Sequence, residues 1–147
     1  MSLTVTSEIM WFSDGNIMCK NSKKLIAKTY ELGQRRCPVC CCQLVYNSNQ
    51  KNTATFEHLV PKSSGGIDSF QNGLVVCRSC NNRRGNRCWL GWIVSEDSPK
   101  REYLARKYLE SVKYHREVLS KNIKIKSNKK LASSLRKAGL EQLVEIV

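Results

Sequence analysis

The sequence is short of acid. Its 147 residues hold 12 Asp and Glu against 25 Lys and Arg, a formal charge of +13, and every third of the chain is net basic. Such an imbalance repels itself in a compact state and is ordinarily kept for a polyanionic partner, so nucleic acid is the expected one. Long apolar runs are missing, and with them any candidate membrane span. The sequence carries no recognisable lipidation motif or export signal, which leaves only a surface amphipathic helix for a membrane to engage; no membrane is expected among its partners. Internal repeats and low-complexity tracts are absent as well, which excludes a solenoid or a disordered polar tract. A chain of this length suits one compact body with appendages, not two large domains.

Cysteine, by contrast, is abundant, with eight at positions 19, 37, 40, 41, 42, 77, 80 and 88. In a secreted chain an even count suggests disulfides, but without an export signal the expected compartment is the reducing cytoplasm. There, paired CxxC spacings point to metal. Cys37 and Cys40 in CPVC, with Cys77 and Cys80 in CRSC, give two tight turns that together offer four thiolates. Four thiolates fill a tetrahedral zinc ion and close it to water, so the site is expected to be structural. Cys41 or Cys42 stays open as a substitute for Cys40.

Three parts follow along the chain. Residues 1–35 read as an N-terminal arm, with a turn at Asp14-Gly15-Asn16 and a short helix in SKKLIAKTYELGQRR that turns Leu25, Ile26, Tyr30 and Leu32 inward. Residues 36–95 form the centre: QLVYN and TATFEHLV as short strands, a Pro/Ser/Gly loop, GLVVC as a further strand, and a helix starting near Cys80. Residues 96–147 are helical, with Ser98 as N-cap, Pro99 in the first turn, and Leu104, Tyr108, Val112, His115 and Leu119 along one face. A second amphipathic stretch follows a basic linker whose lysines (Lys121, Lys124, Lys126, Lys129 and Lys130) are candidates for phosphate contact. These C-terminal helices are a candidate homodimer surface. Trp89 and Trp92 read as core anchors rather than base-stacking platforms.

Within the centre, Glu57 and His58 stand side by side before the loop PKSSGG, with Asn72 and Asn81 downstream. A neutral imidazole can take a proton from water near neutral pH, and a carboxylate with an amide oxygen suits Mg²⁺, which seeks a substrate phosphate. The ordered elements CPVC, EHLVPKSSGG, NGLVVCRSCN and NRRGN, over roughly residues 35–90, resemble the HNH endonucleases, a branch of the ββα-metal nucleases. That resemblance implies an α+β fold: a ββα-metal (HNH) core on a four-cysteine zinc site, flanked by an N-terminal arm and C-terminal helices. It implies His58 as general base, Asn72 as the residue that steadies the histidine loop, and Glu57 with Asn81 as ligands of a catalytic Mg²⁺ or Mn²⁺. Asn82 is the alternative to Asn81, which stands where many members have His; Glu57 stands where Asp is commoner. The implied activity is hydrolysis of DNA phosphodiesters by a bacterial or phage-encoded enzyme, with Lys62, Arg78, Arg83, Arg84 and Arg87 on flanking phosphates. The alternatives are a junction resolvase of the same superfamily and a non-catalytic zinc DNA-binding module. Charge does not distinguish DNA from RNA, so RNA remains open as a substrate.

Overall fold

The structure, a computed structural model, describes residues 22–46, 48–95 and 100–147, together with two short antiparallel strands, Met10–Trp11 (β1) and Ile17–Met18 (β2). The Asp14-Gly15-Asn16 turn, Cys19 and the Ser98-Pro99 cap lie outside the described residues. Helix Ser22–Glu31 (α1) forms in the expected stretch and buries Leu25, Lys28 and Thr29. Tyr30 and Leu32 differ from expectation. They are 46% and 47% exposed, because the helix ends at Glu31 and Tyr30 lies against Tyr46 and under the Arg35 guanidinium.

Two runs rich in β-branched and apolar residues pair as the central hairpin. Ala54–His58 (β3) runs antiparallel to Gly73–Cys77 (β4), in register from Ala54 opposite Cys77 to His58 opposite Gly73. QLVYN does not become a strand: Gln43 and Val45 make only isolated bridges to Arg36 and Thr53. Helix Arg78–Arg84 (α2) follows β4 directly, with Cys77 as its cap, the sulfur accepting from the Cys80 N–H. Strand alternation then divides β3. Thr55 and Glu57 face α2, where Asn81 and Arg84 meet them, while Phe56 and His58 lie together on the other face, ring against ring.

Helices Trp89–Ser95 (α3), Arg101–Lys113 (α4) and Asn128–Lys137 (α5) complete the fold. Their apolar faces pack into the core. Trp89, Trp92, Leu104, Tyr108, Leu131, Leu135 and Leu143 belong to one core with Cys37, Val39, Leu74 and Val76. Each leucine buried in this way contributes about 1.5–3 kcal/mol. Trp89 and Trp92 pack edge to face inside that core. Among the described residues no helix is long and apolar enough to cross a membrane.

Candidate active site

At the Cys77 end of the hairpin, the sulfurs of Cys37, Cys40, Cys77 and Cys80 all lie within 4.8 Å of one another. The CPVC turn is closed by the Cys41 N–H donating to the Cys37 carbonyl and the Cys37 N–H donating to the Cys42 carbonyl. Cys41 sits at φ 65, a left-handed backbone that turns the chain back on itself. Cys41 and Cys42 are not among the converging sulfurs. Zinc–sulfur bonds of about 2.3 Å in a tetrahedron separate neighbouring sulfurs by about 3.8 Å, and Cys40 and Cys77 stand 3.8 Å apart. The donor set and its spacing therefore fit a metal ion such as zinc.

The thiols do not share one proton affinity, and burial raises Cys77. Cys37 is brought down to about 4, chiefly because the Cys80 thiol donates to it, with backbone N–H groups adding to the effect. Cys80, whose proton lies between two sulfurs, moves up in turn. Cys42 is pushed up to about 12 by burial and by the Cys40 and Cys77 sulfurs beside it, so it stays a protonated thiol at the edge of the cluster.

The opposite end of the hairpin opens into the loop of residues 59–72. Pro61 starts a tight 3₁₀ turn, Lys62–Ser64, which Gly65 ends at φ 96. At Gly66 a Cβ would stand 1.8 Å from the Val60 carbonyl oxygen, so only glycine lets the two limbs of the loop approach. Asn72 holds these limbs together. Its Oδ1 accepts from the Val60 N–H and from the Ser111 hydroxyl, each at 2.8 Å, and its Nδ2 donates to the Val60 and Ile67 carbonyls, each at 2.9 Å. A buried amide can make four such bonds, and Asn72, fully buried, makes all four.

The loop delivers a residue that sequence reasoning missed. Asp68 Oδ1 lies 2.6 Å from His58 Nε2, and its Oδ2 lies 2.8 Å from Lys62 Nζ. Burial works to raise the Asp68 carboxyl, but the hydrogen bonds from Lys62 and His58 outweigh it and hold it below its ordinary value. A carboxylate at that distance takes the Nε2 proton of His58 as its hydrogen bond and leaves Nδ1 as the basic nitrogen. The only signal in the sequence was an acidic residue inside an otherwise Lys/Ser/Gly loop.

Glu57, one residue earlier, is 9% exposed and pairs with the Arg84 guanidinium. Arg84 also donates to the Arg87 carbonyl and lies 4.9 Å from the Trp89 ring centre, so it is turned into the protein. Asn81 donates through Nδ2 to the Thr55 hydroxyl at 3.2 Å. Glu57 and Asn81 thus share the α2 face of the hairpin, and His58, next to Glu57 on β3, lies on the opposite face beside Phe56. Arg83 reaches the Cys80 sulfur, Arg87 the Arg83 carbonyl, and Arg78 the Asn49 side chain. Arg83, Arg87 and Asn82 are exposed on the outer side of α2.

Residues 42–88 match the HNH endonuclease family model. The match covers β3, the loop, β4, α2 and the second cysteine pair, and gives this region a nuclease-type domain. No curated protein and no solved structure matches the chain.

Proposed function

We propose that the chain is a metal-dependent HNH endonuclease that hydrolyses DNA phosphodiesters, with His58 as general base. The observation that carries this reading is the 2.6 Å contact between His58 Nε2 and Asp68 Oδ1, within the family-matched segment. With Nε2 committed to the carboxylate, Nδ1 is left to accept the proton of an attacking water, and the imidazolium that forms is stabilised by the same carboxylate. The net charge of +13 favours a phosphate backbone as partner. Exposed Arg83 and Arg87, with Lys62 at the loop and Arg78 at the start of α2, are the side chains suited to flanking phosphates.

The four cysteines fit an implied structural zinc, while the implied catalytic ion is offered two hard donors, Glu57 and Asn81. Cys37, Cys40, Cys77 and Cys80 would hold structural zinc. Glu57 is a nearly buried carboxylate that requires a cation, a need Arg84 meets here, and with the Asn81 amide oxygen it offers the hard donors that Mg²⁺ or Mn²⁺ prefers. A bound divalent ion there supplies charge neutralisation at the scissile phosphate and leaving oxygen. Glu57 could hold such an ion only in exchange for its pairing with Arg84.

One base per chain cuts one strand at a time, so nicked circle is the expected first product. The test is cleavage of supercoiled plasmid and of a four-way junction by wild type and His58→Ala, with Mg²⁺ and with EDTA. We expect Mg²⁺-dependent nicking that falls about 10²- to 10⁴-fold in the variant. Faster cutting of the junction than of plasmid would assign the chain to junction resolution within the same chemistry. Folded, zinc-loaded wild type that binds both DNAs and cuts neither overturns the enzyme reading in favour of a zinc DNA-binding module.

A further inference from the structure

The loop that carries Asp68 is not held by the family-matched residues alone. Ser111, on α4, donates to Asn72 Oδ1 at 2.8 Å. His115 accepts the Ile67 N–H on Nε2 at 3.2 Å and donates from Nδ1 to the Ser111 carbonyl at 2.7 Å. Farther on, the Lys124 N–H donates to the Ser64 carbonyl at 2.8 Å, and Asn122 and Ile123 lie against Gly65. All of these partners lie beyond residue 88, where the family match ends.

The backbone around His115 is built for this contact. α4 passes into a π-helical turn, Tyr114–Val118, a rare local widening found frequently at functional sites. Ser120 follows at φ 50, a left-handed conformation that costs about 1–3 kcal/mol for a residue other than glycine. The Lys121 N–H then returns to the His115 carbonyl, and the chain runs back across the loop. His115 is completely buried. Its two hydrogen bonds fix the neutral tautomer, with the proton on Nδ1 and a lone pair on Nε2 aimed at Ile67.

Resting on the nuclease reading, we infer that His115 and Ser111 are positioning residues of the active site. His115 grips Ile67, whose chain neighbour Asp68 in turn orients His58. The sequence holds two histidines, one as base and the other, two contacts away, setting where the base points. Ser111 does the same from the Asn72 side, so the C-terminal helices complete the catalytic loop.

The presence of two histidines makes the test direct. In uniformly ¹⁵N-labelled protein each ring gives its own pair of nitrogen resonances, and those of His58 report its tautomer. His115→Gln returns a carboxamide to the Nε2 position, able to accept from Ile67. His115→Asn reaches only the Nδ1 position and leaves the Ile67 N–H without a partner. We expect His115→Gln to keep the Nε2–H tautomer of His58 and near wild-type nicking. In His115→Asn we expect His58 to become a tautomer mixture and kcat to fall about 10- to 100-fold with KM little changed, the scale for a reacting group displaced by about an ångström. Both variants should keep wild-type zinc content. If both leave the His58 resonances and kcat at wild-type values, or both perturb them equally, the positioning role is overturned and His115 is only packing. Should wild type cut no substrate, the nuclease reading falls, and the His58 resonances still decide whether His115 sets its orientation.

Discussion

At the Ala54/Cys77 end of the β3–β4 hairpin four sulfurs converge from two tight turns. At the His58/Gly73 end the chain leaves the ladder for a loop whose shape depends on partners far away. The first end is local: each CxxC places two donors within one turn, and a single ion would join them. The second is a web of neutral hydrogen bonds centred on Asn72, whose partners come from Val60, Ile67 and Ser111. The cysteine end draws its donors from two local turns, and the loop end sets where His58 and Asp68 stand.

The largest effect that would test this contrast is removal of the metal. Structural zinc in small domains contributes on the order of 10 kcal/mol of folding free energy, comparable to the whole stability of a domain. A strong chelator, or Cys80→Ser, should abolish cooperative thermal unfolding monitored by circular dichroism. A chelated protein with an unchanged melt would reduce the cluster to buried thiols and erase the contrast. At the loop end, Asn72→Ala strips partners from the Val60 N–H, the Val60 and Ile67 carbonyls and the Ser111 hydroxyl together. Orphaned buried groups cost about 1–3 kcal/mol each where water cannot reach them, and a loss of about 3–5 kcal/mol in urea unfolding is expected. Zinc content should be unaffected, which separates the two ends.

The same contrast explains what could be read in advance. The cysteine pairs, β3, β4, α2 and Asn72 were legible because their signals are short-range: CxxC spacing, β-branched runs bounded by Gly and Pro, and a family pattern of fixed order. Leu32 was misplaced because helical periodicity was carried past the point where α1 stops, and Tyr30, inside α1, because its ring lies against Tyr46 and under Arg35 instead of in the core. QLVYN has strand composition but pairs only through isolated bridges, which no local pattern records. Asp68 was overlooked for a different reason: its meaning depends on a loop that doubles back to His58. Ser111 and His115 were the least legible. On α4 and the π-helical turn after it they fall on the inward face, where a serine and a histidine read as tolerated core positions, and their partners Asn72 and Ile67 are 39 and 48 residues away.

The smallest expected effect sharpens the comparison through pH. Burial holds the His115 imidazole below its ordinary value of 6.5, and the Lys121 charge adds to the effect, although the Ser111 carbonyl works against them. The folded protein therefore binds fewer protons here than the unfolded chain does. Stability from this group is fully present above the unfolded value and is lost as pH falls below it, towards the lower folded one. Between about pH 7.5 and 5.5 the loss from one such histidine cannot exceed about 1.4 kcal/mol. Acid also protonates cysteines and releases metal, so the slope of wild type alone is not diagnostic. Cysteine protonation acts equally in wild type and His115→Gln, and the glutamine does not titrate. Wild type should therefore lose more stability than His115→Gln over that range in parallel urea titrations. Parallel slopes would mean that His115 takes up a proton as readily when folded as when unfolded, and the neutral imidazole would no longer account for its grip on Ile67.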